Sequence, residues 1–167
     1  MSILVCGGAG YIGAHVVRLL SQRGDKVVVV DDLSTGSSDR IGDATLVTLD
    51  VASDQAQSVL SNVMVDEDVT AVIHFSARKQ VGESVKRPVW YYQQNVGGLA
   101  NVLAAMNDAG IDQMIFSSSA AVYGMPPVEV VPETVDCRPI NPYGETQLIG
   151  EGVKADCERG RDPNGVG

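Results

Sequence analysis

The run Lys26-Val27-Val28-Val29-Val30-Asp31 constrains this chain more than any other feature. Four consecutive valines cannot alternate between a wet and a dry face. They describe a strand covered on both sides, as in a parallel sheet flanked by helices. Four similar short runs, at residues 3–6, 45–49, 71–75 and 113–117, predict four more strands. Between them, apolar residues at helical spacing predict helices at residues 12–22, 54–63 and 89–109, the first ended by Gly24 and the third by Gly110. Pro142 suits the first position of a last helix, with Asn141 as its cap. Strands alternating with helices predict an α/β fold of Rossmann type, a doubly wound parallel sheet of about five strands. Ligands of such sheets sit beyond the carboxyl ends of the strands at the topological switch point.

At 167 residues the chain is expected to form one domain, spanning residues 1–158, followed by an unstructured tail at 159–167. No apolar run is long enough for a bilayer, and the first residues lack a basic stretch before a long apolar one, so neither a membrane span nor a signal peptide is expected. Twelve Lys and Arg stand against 21 Asp and Glu, a net charge of −9, which argues against nucleic acid and anionic membrane as partners. Cys6, Cys137 and Cys157 form no metal-ligand spacing and read as free thiols of a cytoplasmic protein, with no metal site. Residues 33–42 form a turn-rich loop, and residues 118–140 a longer one with four prolines.

The chemistry-bearing residues fall where this fold would use them. Gly7-Gly8-Ala9-Gly10-Tyr11-Ile12-Gly13 lies between the first strand and first helix. Gly7 permits a tight turn, Gly10 lets the backbone approach a pyrophosphate, and Gly13 lets the helix pack closely, while the helix start offers free N–H groups. The second strand ends at Asp31, 18 residues after Gly13, where a carboxylate accepts hydrogen bonds from adenosine ribose hydroxyls. With Asp32 beside it, Asp31 would repel a 2′-phosphate, so the expected cofactor is NAD rather than NADP. Asp50 and Val51, after the third strand, are candidates for contact with adenine. Ser117, Ser118 and Ser119 end the fifth strand and Tyr143 starts the last helix, a pairing able to move a proton at a substrate hydroxyl. His74 reads as a strand residue with a satisfied ring.

Taken in order, GGAGYIG, the acid after strand two, HFSARKQVGES (residues 74–84), QNVGG (94–98), FSSSAAVYG (116–124) and NPYGE (141–145) resemble the extended short-chain dehydrogenase/reductases. Within that group they are most similar to the epimerases of the NAD-dependent epimerase/dehydratase family. Sugar-nucleotide dehydratases carry an Asp-Glu pair where this chain has Ala120 and Ala121. The resemblance implies interconversion of UDP-galactose and UDP-glucose by transient hydride transfer to NAD. It implies that Gly7, Gly10, Tyr11, Ile12 and Gly13 hold the pyrophosphate, that Asp31 and Asp32 meet the ribose, and that Asp50 and Val51 flank the adenine. Phe75, Ser76, Lys79, Asn95 and Ser117 would complete the cofactor site. Ser119 would hydrogen-bond the sugar hydroxyl, and Tyr143 would be the catalytic base as well as a cofactor contact.

Two departures shape what else is expected. The family places a Lys four residues after the tyrosine, one helical turn along, and this chain has Gln147. Gln147 brings hydrogen bonds but no charge to help a tyrosine give up its proton. Lys154, eleven residues from Tyr143, lies about 16 Å along a helix and does not replace it. The resemblance also implies that the chain is truncated after the tyrosine-bearing helix, without the substrate domain. A non-catalytic NAD-binding fragment, or another sugar-nucleotide epimerase or decarboxylase, is therefore the alternative reading. The family pairs two subunits through the helix before strand five and the tyrosine-bearing helix. Val96, Leu99, Val102, Leu103 and Met106 would supply the first, and the glycine-interrupted second helix implies only a weak homodimer.

Overall fold

The computed structural model describes residues 1–161, in two compact units: residues 1–77 with 97–117, and residues 78–96 with those from 118 onward. The first unit carries a five-stranded, all-parallel sheet, β1 (Ser2–Cys6), β2 (Lys26–Asp31), β3 (Thr45–Thr48), β4 (Ala71–His74) and β5 (Gln113–Phe116), in the order β3-β2-β1-β4-β5. Chain order reverses between β1 and β4, which sets the switch point beside the first strand. All five expected strands are present, with ends displaced by at most one residue.

Period-two alternation divides the strand residues between two faces. Ile3, Val5, Val27, Val29 and Ile73 join Val17 and Leu20 of α1 (Tyr11–Arg23) and Ile41 of the turn-rich loop in one buried cluster. Their alternates Leu4, Val28, Val30 and Val72 are fully buried on the opposite face. Helices α2 (Ala56–Asp66) and α5 (Gly98–Asp108) pack on each other and bury Leu60, Met64, Leu99, Val102 and Met106. Valines on β2 are therefore covered from both sides, as four in a row require.

Of the residues expected to pair two subunits, Val96 is half-buried, while Leu99, Val102, Leu103 and Met106 are already covered within this chain. They lie in the chain's own interior, opposite α2. The helix expected at 89–109 is also not continuous. It comprises α4 (Pro88–Tyr91), a π-helical turn at Tyr92–Gly97, and α5. A π turn inserts a residue without changing which residues are apolar, so periodicity does not reveal it.

The second unit holds α3 (Val81–Lys86), α4, most of the π turn, a 3₁₀ turn at Ala120–Tyr123 and α6 (Pro142–Arg161). Neither α3 nor the 3₁₀ turn was expected. Helix α6 continues through Gly150 and Gly152 to Arg161, three residues past the expected domain boundary. Ion pairs one turn apart, Lys154 with Glu158 and Asp156 with Arg159, accompany that extension. Residues 162–167, the rest of the expected tail, lie outside the described residues. No helix among the described residues is long and apolar enough to cross a membrane.

Candidate functional site

In the first unit the parallel register aligns the strand ends, since Cys6 pairs with Val30 on one side and with His74 on the other. Gly7, Asp31, Asp50, Phe75, Ser76 and Ser117 consequently follow their strands at one edge of the sheet. Gly7 turns the chain at φ +76, with its N–H donating to the Val30 carbonyl at 2.7 Å. A Cβ there would lie 2.8 Å from the Ser76 nitrogen, so the glycine also admits the backbone that leaves β4. At Gly13 a Cβ would lie 2.2 Å from the Gly7 carbonyl oxygen. That residue therefore serves the packing of α1 against the glycine loop itself, rather than only against the sheet.

Gly10 caps α1 without a side-chain acceptor, and the first turn contains no acid. The early amides of Tyr11, Ile12 and Gly13 thus point out of a helix start that favours an anion. The side chains of Tyr11 and Ile12 are exposed, so their part in anion binding is confined to the backbone. Asp31 is buried, and its two oxygens accept the Ala9 N–H at 3.0 Å and the Leu33 N–H at 2.9 Å. The expected ribose acceptor thus also pins the glycine loop to the loop after β2. Each oxygen keeps a lone pair for a ligand hydroxyl. Asp32 is turned to Ser34, whose N–H and hydroxyl donate to it at 2.9 and 2.6 Å. This cradle suits a dinucleotide: free amides for phosphates, a glycine loop that side chains would fill, and a carboxylate for the ribose.

Other predicted contacts have structural duties as well. Asp50 accepts the Ala52 N–H, and the buried Val51 lies against Gly98 while its carbonyl accepts the Asn101 side-chain N–H at 2.9 Å. The Phe75 N–H donates to Cys6, and the Ser117 N–H to His74. His74 departs from expectation: its ring is buried and stacked 5.9 Å from Phe116, and neither ring nitrogen has a hydrogen-bond partner. Burial pushes it down to about 4 by removing the water that would solvate its cation, and a smaller opposite pull from the Ser76 backbone does not offset this. Burial, then the Asp31 charge, pushes the Cys6 thiol up to about 12, so it is no nucleophile.

The second unit carries the serine and the tyrosine. Ser119 caps the 3₁₀ turn, its hydroxyl oxygen accepting the Ala121 N–H at 3.2 Å, which leaves its proton free to donate. Asn141 caps α6 as expected, accepting the Gly144 N–H at 2.9 Å. A Cβ on Gly144 would lie 2.6 Å from the Ala121 carbonyl oxygen, so this glycine lets the tyrosine-bearing turn close on the serine-bearing one. Tyr143 sits on that turn. Its carbonyl accepts the Thr146 hydroxyl at 2.7 Å, and Thr146 in turn accepts from Asn95 Nδ2 at 2.9 Å. Asn95 also brackets the Arg78 backbone, accepting its N–H at 2.7 Å and donating to its carbonyl at 3.0 Å.

Both Asn95 N–H groups are therefore committed within the protein, and the residue expected to hold cofactor is foremost a brace for the tyrosine's turn. Lys79 is exposed. Gln147 is 2% exposed, a neutral amide at the position where the resemblance implies a lysine. Sequence reasoning missed Thr146 and Gly144 as supports, although both lie within one turn of Tyr143. It also missed Arg40, which reaches back to Ala9 across a separation no local pattern signals. Among the described residues no group of His, Cys, Asp and Glu could hold a metal.

Fold and site together define a dinucleotide-binding member of the extended short-chain dehydrogenase/reductases. The chain belongs to the NAD dependent epimerase/dehydratase family, matching it over residues 3–160. It is 44% identical over 156 residues to the UDP-glucose 4-epimerase of Lactobacillus helveticus, covering 93% of this chain and 46% of that protein. It is 39% identical over 180 residues to that of Halalkalibacterium halodurans, with 99% and 53% covered. Among solved structures, Brucella ovis UDP-glucose 4-epimerase in complex with NAD superposes with a TM-score of 0.88 at 42% identity, covering 93% of this chain and 47% of that one. The chain spans about half the length of the relatives it matches.

Proposed function

We propose that this chain is the NAD-holding half of a UDP-hexose 4-epimerase of the cytoplasm, taking UDP-galactose and UDP-glucose as substrates. The observation that carries the reading is the Ala9 N–H held by Asp31, which joins the anion-binding glycine loop to the ribose-binding acid. Gly7, Gly10 and Gly13, with the amides of Tyr11 and Ile12, would hold the pyrophosphate, and Asp31 and Asp32 the adenosine ribose. Asp50, Val51, Phe75, Ser76, Ser117, Lys79 and Asn95 are assigned to the remainder of the cofactor site by resemblance. NAD, when bound, supplies a reversible hydride acceptor. Ser119 donates a hydrogen bond to the sugar hydroxyl and Tyr143 takes its proton, braced by Asn141, Thr146 and Asn95.

The absence of acids at Ala120 and Ala121 supports epimerisation over elimination of water, which requires an acid–base pair. One observation favours a second reading, a non-catalytic NAD-binding half: the buried neutral Gln147 one turn from Tyr143. Incubation of the chain with UDP-galactose and NAD⁺ distinguishes them. UDP-glucose formed above the level of a Tyr143→Phe control supports catalysis, whereas NAD⁺ binding with no product supports the second reading.

A further inference from the structure

Arg40 ends a 3₁₀ turn (Ser38–Arg40) in the loop that follows β2. That loop is pinned to the glycine loop at one residue. The Ser37 N–H donates to the Ala9 carbonyl at 3.1 Å, and a Cβ on Gly36 would lie 2.9 Å from the Ala9 Cβ. On its far side the loop is anchored by Ile41, 6% exposed in the β1–β2 core cluster. The guanidinium of Arg40 is thus carried by a segment held at both ends. Its Nη1 reaches the Ala9 carbonyl at 3.4 Å, a long and loose tether. A guanidinium has five N–H donors, so most of its donor capacity remains open. Ala9 is the residue whose N–H is held by Asp31, and the next residue, Gly10, caps α1. A cation on an anchored segment therefore stands beside the anion-binding turn of a chain whose net charge is −9.

We propose that Arg40 is a phosphate-binding residue of the cofactor site, supplying the positive side chain that the glycine loop lacks. The glycine loop offers only backbone dipoles to a pyrophosphate, and Asp31 and Asp32 stand on its flank. A guanidinium turning from the Ala9 carbonyl toward the anion adds charge-assisted hydrogen bonds and offsets those carboxylates. This assignment rests on the dinucleotide reading above.

Equilibrium binding of NAD⁺ and of adenosine to the full chain, by calorimetry at two salt concentrations, tests it. Arg40→Ala should weaken NAD⁺ binding about three- to tenfold, as expected for one solvent-exposed charge-assisted contact. It should leave adenosine, which has no phosphate, unchanged, and reduce the salt dependence of NAD⁺ binding. Arg40→Lys should recover part of the loss. Equal NAD⁺ affinity in wild type and Arg40→Ala would overturn the proposal. So would a loss confined to NADP⁺, which would assign the guanidinium to a 2′-phosphate. Wild-type protein that binds no NAD⁺ would instead remove the dinucleotide reading itself, and the Arg40 proposal with it. Circular dichroism of each variant separates lost contacts from lost fold.

Discussion

His74 titrates well below an ordinary histidine because burial penalises its cation, and this ties folding to pH. Between pH 6.5 and about 4 the unfolded chain binds a proton at this site and the folded chain does not. Stability therefore rises with pH through that window, is fully present above 6.5, and falls as the pH drops toward 4. At 1.36 kcal/mol per pH unit the loss amounts to about 3 kcal/mol. Urea unfolding at pH 7 and pH 4.5 should show this component in the wild type and not in His74→Phe; equal losses in both proteins would contradict it. Asp31 makes a different prediction, because it serves both the loop and the ligand. Asp31→Ala should weaken NAD⁺ binding by about 1.5–3 kcal/mol and also lower stability, since the buried Ala9 N–H loses its acceptor. Paired binding and melting measurements on that variant check both effects, and unchanged stability would show that the Ala9 bond is dispensable.

Among the elements, the strands were the most legible in the sequence, because runs of β-branched residues bounded by turns have few other uses. The glycine loop, its acid and the capped start of α6 were legible for the same reason: local spacing encodes them. What local spacing does not encode was missed. The π turn, the brace from Asn95 through Thr146 to Tyr143, and the reach of Arg40 all depend on long-range contacts. Helix α6 outlasted its two glycines, whose cost of about 1 kcal/mol each is a weak prior beside side-chain pairing and packing. Two substitutions test these elements. Gly13→Ala places a Cβ 2.2 Å from a backbone oxygen and should cost about 2 kcal/mol or more, lowering Tm by about 5 °C. Thr146→Val leaves a buried Asn95 N–H without its partner and should cost about 1–3 kcal/mol, with Thr146→Ser restoring most of it. A melting curve for Thr146→Val that matches wild type would show that Thr146 does not brace the turn.

At the scale of the whole molecule, four residues expected to pair two subunits, Leu99, Val102, Leu103 and Met106, are already buried inside one chain, while Val96 is half-buried. Those four are not available to a partner, although Ile115 on the edge strand β5 is 62% exposed. Sedimentation velocity across a dilution series should therefore show a monomer or a weak dimer that dissociates; a dimer boundary persisting at nanomolar concentration would contradict this. Gln147→Lys should not by itself produce full epimerase turnover, because the new ammonium would enter a buried position. Turnover by this variant equal to that of a UDP-glucose 4-epimerase would contradict this expectation. Whether the glycine loop and its carboxylates form a site for NAD is decided by equilibrium calorimetry of the full chain with NAD⁺ and NADP⁺. NAD⁺ should bind saturably and at least about tenfold more tightly than NADP⁺, since a 2′-phosphate would meet Asp31 and Asp32; equal affinities, or no NAD⁺ binding by a folded chain, would contradict this.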